Sequence, residues 1–182
     1  MPAKLPKESI FEFETSDFSD DCEELGRLNK SFIQFDRVKE KHWPSLRSVD
    51  AVELDDFNRK VSFIEFCDLK GELADQRKKL TGCKNQEELI IERLFSEFAD
   101  KAVHSLLILS RYYGIDPECI DYTIVICSKD KNFLHRNIAF ITHFKSKLND
   151  RLLSRLNVII KKPENKQVNF FMFVQSFLKK FQ

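Results

Sequence analysis

The chain has 182 residues, of which 42% are hydrophobic and 32% charged, a balance that excludes a disordered polyelectrolyte and suffices for one domain with a well-buried core. Its net charge is +1 at pH 7. No run approaches the roughly 18 apolar residues of a membrane span, and the opening MPAKLPKESIFEFE has no signal-peptide core, so a cytoplasmic protein is expected.

The near-neutral charge hides a segregation. Glu8 to Glu24 holds eight acidic residues and no Lys or Arg, whereas Lys129 to the C-terminus holds twelve Lys/Arg against Asp130, Asp150 and Glu164. A basic C-terminal third suits a polyanion or an acidic protein partner, and it also suits plain solvated helix faces. The five cysteines lie far apart without a CxxC pair, which argues against structural zinc and for free thiols in a reducing compartment.

In chain order, Asp20 to Phe35 has the spacing of a helix, with Asp20 or Asp21 as its cap and Leu25, Leu28 and Phe32 on one stripe. The stretch SFIQF at its end reads equally well as the start of a strand. His42-Trp43-Pro44 closes the region, since a residue before proline avoids helical geometry. Val49–Leu54 and Val61–Cys67 are short, apolar and rich in β-branched or aromatic residues, with the polar run Asp55–Lys60 between them, a strand–turn–strand signal. Both are apolar on both faces, as strands covered on two sides are.

A long helix is predicted over Gln86–Tyr113, where Ile91, Leu94, Phe95, Phe98, Ala102, Leu106 and Leu109 recur at three- and four-residue steps. Gly114 ends it. Tyr122–Cys127 is a buried strand, followed by a helix over 138–155, a short strand at Val158–Ile160 and a helix over 168–181. Phe133, Phe140 and Phe144 fit helical core spacing better than a nucleic-acid stacking surface. His42, His104, His135 and His143 show no ligand spacing, and with four glycines there is no material for a phosphate loop.

If the 49–67 hairpin is symmetric about its polar turn, Asp50 lies opposite Glu65, Val52 opposite Phe63 and Leu54 opposite Val61. Opposed residues share a face, so an apolar row ends in two facing carboxylates, with Cys67 next on the same face. Such a pair is costly to bury without a positive partner. A hard divalent cation is the natural companion, because it takes oxygen ligands and bridges to phosphate.

This arrangement resembles the restriction-endonuclease-like PD-(D/E)XK nucleases. Val49-Asp50-Ala51-Val52 looks like their first carboxylate segment and Phe63-Ile64-Glu65-Phe66 like the second, before a long helix and another strand. The likeness covers the middle 80–90 residues. It implies a single α/β domain with a central mixed sheet flanked by helices, an αβββαβ core over residues 20–128, and a basic helical part over 129–182 packed on it. It also implies Mg²⁺ or Mn²⁺ at Asp50 and Glu65, with Asp68 as a possible further ligand.

The family's lysine, two residues after the second acid, is Cys67 here, and a thiol supplies no permanent cation. Asp68-Leu69-Lys70 satisfies (D/E)-x-K in register with the wrong face. Alternatively Lys70 swings back from the following turn to serve Glu65 as the catalytic cation, or the chemistry has been lost. Some members complete the metal site with an acid from the first helix, here Glu23 or Glu24, and some carry a basic residue on the helix after the hairpin, where Lys101 stands.

The resemblance therefore implies a metal-dependent nuclease acting on DNA, less readily RNA, in a restriction, repair or anti-phage defence system. The alternative is a catalytically inactive scaffold or interaction subunit of a larger protein complex. A regulatory protein that masks another enzyme is a third reading, resting on size and the acidic N-terminal segment alone.

Overall fold

The computed structural model describes residues 32–55, 60–115, 117, 119–128, 130–156 and 166–171. Within them one five-stranded mixed sheet runs in the order β1 (Ile33–Gln34), β2 (Ala51–Asp55), β3 (Lys60–Cys67), β4 (Cys119–Ile126) and β5 (Lys166–Phe171). β2 is antiparallel to both β1 and β3, whereas β3, β4 and β5 are mutually parallel. Five helices accompany it among the described residues: α1 (Phe35–His42), α2 (Leu69–Lys79), α3 (Gln86–Tyr113), α4 (Lys131–Arg136) and α5 (Ile138–Leu156).

Each boundary has a local cause. α1 turns Phe35 and Val38 inward, and it stops at Trp43, whose N–H donates to the Lys39 carbonyl at 2.6 Å just before Pro44. α2 starts where the Asp68 carboxylate accepts the Gly71 N–H at 3.2 Å, a helix cap. α3 ends on Gly114 at φ +64°, a left-handed turn that glycine adopts without strain, and Ile115 N–H closes it on the Leu109 carbonyl at 3.1 Å. The Asp130 carboxylate caps α4 by accepting the Phe133 N–H at 3.0 Å.

The hairpin register is the one that symmetry about the turn predicts. Val52 pairs with Phe63 and Leu54 with Val61, which carries Asp50 opposite Glu65 one step beyond the Ala51–Ile64 pair. Tyr122, Ile124 and Ile126 on β4 continue the row formed by Phe63, Glu65 and Cys67. Apolar members of that face pack with α3 into one core. The other face is also buried, at Ala51, Ile64, Phe66, Thr123 and Val125.

α5 lies along α3, where Phe144 stacks on Phe95 with ring centroids 4.7 Å apart and meets Phe98 edge-on at 5.6 Å. Phe144 is thus core, as its spacing implied. Among the described residues no helix is long and apolar enough to cross a membrane.

Three expectations need correction. Residues 33–34 form a strand and 35–42 a helix, so the first predicted helix does not continue through Phe32–Gln34; its part before residue 32 lies outside the described residues. The helix expected over 168–181 is replaced, as far as residue 171, by β5, which pairs in parallel with β4; 172–182 and the strand expected at 158–160 lie outside the described residues. The C-terminal part thus contributes a strand to the sheet as well as the helices α4 and α5. Finally, the stretch after β3 is the 11-residue helix α2 and no mere turn.

Candidate active site at the end of the hairpin

Asp50 stands just before β2 and Glu65 near the end of β3. Backbone contacts hold the Asp50 strand against its neighbours. The Phe35 N–H donates to the Asp50 carbonyl at 2.9 Å, and Asp50 Oδ2 accepts the Phe66 N–H at 2.6 Å. Just upstream, the Arg47 N–H donates to His104 Nδ1 at 3.2 Å and the Val49 N–H to Ser105 Oγ at 3.0 Å. Both acceptors lie one turn beyond Lys101 on α3. The segment leading into Asp50 is therefore tied to the same stretch of helix that supplies the cation.

That cation reaches the second carboxylate. Lys101 Nζ donates to Glu65 Oε1 in an ion pair that is 21% exposed on the lysine side and 4% on the glutamate side. Glu65 Oε2 is buried and has no hydrogen-bond partner among the described residues. Burial pushes the Glu65 carboxyl well above the usual carboxylate range, the Asp50 charge pushes the same way, and Lys101 opposes both. Burial alone would lower the Lys101 ammonium, but Glu65 and Asp50 outweigh it and hold it above the ordinary lysine value. The two shifts favour different states of Glu65; with Nζ in hydrogen-bond contact with Oε1, the ionised pair is the state taken here.

Neighbouring groups follow the same field. Burial and the Glu65 charge push the Cys67 thiol up, so it stays neutral. Tyr122, also pushed up by burial and by Glu65, donates its hydroxyl to the Phe98 carbonyl at 3.3 Å. Asp36 on α1 adds a third negative charge that acts on both Glu65 and Lys101. Its carboxylate accepts the Ser48 hydroxyl and lies 3.9 Å from Lys39.

Of the residues singled out in the sequence, Asp50, Glu65 and Lys101 come together. Lys70 does not swing back to Glu65: it sits in the first turn of α2, exposed, with Nζ 3.2 Å from Asp130. Asp68 is engaged in capping α2. Glu23 and Glu24 lie outside the described residues. Asp36 went unnoticed in the sequence; its place one residue into a helix that starts beside Asp50 would have been the signal.

The Lys70 result yields a direct expectation. An exposed pair such as Lys70–Asp130 is screened by water and contributes little to stability, so Lys70→Ala is expected to shift the urea midpoint only slightly and leave any cleavage rate within about twofold. A large rate loss in that variant would return Lys70 to the site.

Two carboxylates and a cation remain for chemistry. Among the described residues no group of three or more His, Cys, Asp and Glu is arranged to hold a metal. Magnesium does not require one, because it is commonly bound through one or two carboxylates together with water and substrate phosphate. The orphaned Glu65 Oε2 beside a second carboxylate fits that chemistry. Of the described cysteines, Cys67 and Cys83 are free thiols. Cys127 is disulfide-bonded, against the expectation of five free thiols. Compared with family models, curated proteins and solved structures, the chain matches none of them.

Proposed function

We propose that the chain is a metal-dependent nuclease acting on DNA, with a restriction-endonuclease-like core and Asp50, Glu65 and Lys101 as its site. The observation that carries this reading is the contact of Lys101 with Glu65 at the end of the hairpin where Asp50 sits. It supplies the cation that Cys67 lacks, from the neighbouring helix instead of the strand. The succession of two antiparallel strand pairs, a long helix and a parallel strand supports the same core.

In this reading Asp50 and Glu65 would hold Mg²⁺ or Mn²⁺, with Glu65 Oε2 left for it by the Lys101 contact at Oε1. The metal, when bound, supplies an activated water and neutralises charge on the phosphodiester. Lys101 positions the attacking water and stabilises the charge that develops on the scissile phosphate. Burial of Glu65 among apolar neighbours strengthens each of these interactions.

The test is calorimetric titration of the chain with Mg²⁺ and Mn²⁺, together with cleavage of duplex and single-stranded DNA in each metal and in EDTA. Metal-dependent cleavage is expected. Its absence in both metals would overturn the reading.

A second reading, the inactive scaffold subunit of a larger assembly, is favoured by one observation. Glu65 is already neutralised by Lys101, so the pair satisfies a buried acid without any chemistry. It predicts an intact fold with neither metal binding nor cleavage.

A further inference from the structure

Residues 131–149 carry Lys131, Arg136, Lys145 and Lys147 and no carboxylate. They form α4 and the first part of α5. Ile141, Phe144 and Leu148 turn into the core, so the opposite side of α5 faces outward at three- and four-residue steps. Lys145 and Lys147 are exposed there with Thr142 and Ser146, and Lys131 and Arg136 are exposed on α4.

None of the four cations makes an ion pair among the described residues. Four cations on α2 and α3, Lys70, Arg77, Lys78 and Lys101, each face a carboxylate. Asp130 and Asp150 flank this run, and no acid between them offsets its cations. Unneutralised cations interleaved with hydroxyl groups match a phosphate backbone.

The position of the face agrees with that. α4 begins at the end of the sheet where β3 and β4 finish: the Cys127 N–H donates to the Cys67 carbonyl at 2.8 Å, and Asp130 bonds Lys70 across the same end. Glu65 lies two residues before Cys67. Residues 138–147 span about 14 Å of helix, a length over which a duplex presents about eight phosphates at one per ~1.7 Å.

We propose that the exposed face of α4 and α5 docks the phosphate backbone of a nucleic-acid duplex beside the Asp50–Glu65–Lys101 site. The identity of the polyanion rests on the nuclease reading above. Contact here is with phosphates, so it fixes position and carries no base preference.

The test measures binding of a short DNA duplex by fluorescence anisotropy in EDTA, over a salt series, so that no cleavage is needed. The triple variant Lys131→Gln/Lys145→Gln/Lys147→Gln is expected to reduce the slope of log affinity against log salt by about 0.9 per cation, roughly 2.7 in all. A control, Arg77→Gln/Lys78→Gln on α2, should leave the slope unchanged, and circular dichroism checks that both fold. An unchanged slope in the triple variant overturns the proposal, as does an equal loss in the control. Failure of the wild type to bind duplex overturns it too, and leaves an acidic protein as the partner. Binding with the expected slope but without metal-dependent cleavage would sink the nuclease reading and keep this surface; cleavage with an unchanged slope would do the reverse.

Discussion

Replacing Asp50 by asparagine is expected to lower Mg²⁺-dependent DNA cleavage by about 10²–10³-fold or more, the range seen when a group that stabilises transition-state charge is removed. Asparagine keeps a side-chain oxygen for the Phe66 N–H, which Asp50 Oδ2 accepts at 2.6 Å, so the hairpin end should hold its shape. What disappears is one of the two negative charges that would bind the metal. The Asp50 charge also pushes the Glu65 carboxyl up, so its removal relieves repulsion in the folded state. Stability should therefore be unchanged or slightly higher while activity and calorimetric metal binding are lost. Full cleavage by this variant would sink the assignment of Asp50, whereas loss of both cleavage and cooperative unfolding would mark it as structural.

Lys101→Met should produce the largest loss of stability in the site. It leaves Glu65, 4% exposed, with no countercharge and with the Asp50 and Asp36 carboxylates still acting on it. Breaking a buried pair in this way costs about 3–5 kcal/mol. The sign of its pH dependence follows from Glu65. A carboxyl whose folded pKa lies above its unfolded value favours folding when protonated, and that contribution is lost as pH rises through the folded pKa. Lys101 opposes the upward shift in the native chain, so its removal raises the Glu65 pKa further.

The destabilisation should accordingly be small in acid, below the ordinary glutamate range of about 4.3, and grow as pH rises toward neutrality. Urea unfolding of wild type and variant at acid and neutral pH, both in EDTA, measures it. A penalty that is equal at both values would show that Glu65 is not the group left uncompensated. The double variant Glu65→Gln/Lys101→Met should regain most of the stability at neutral pH and none of the cleavage. Recovery of stability without activity is what separates a catalytic pair from a purely structural one.

Much of the site was legible before any fold was known. The placement of Val49–Leu54 and Val61–Cys67 symmetrically about the polar run Asp55–Lys60 indicated the register, because opposed positions of a hairpin share a face of the sheet. That register alone placed Asp50 opposite Glu65. The α3 stripe and its Gly114 terminus were equally plain, since a 28-residue helix repeats its signal over many turns. α2 was missed: Leu69, Leu73, Gln76 and Leu80 keep helical spacing, yet Gln76 interrupts the apolar pattern and Gly71 argues against a helix.

What the tertiary structure alone decided is which lysine meets Glu65. Lys70 lies five residues away along the chain and turns to Asp130, while Lys101 lies 36 residues away and arrives because α3 packs its inner stripe across the β3 face. Nothing in local spacing encodes that choice, which depends on how a helix sits on a sheet. The same holds for β5: its sequence has an apolar spacing compatible with a helix, and a parallel partner that is distant in the chain makes it a strand. Local periodicity determines elements and faces; long-range packing determines which faces meet, and the cation of this site came from such a meeting.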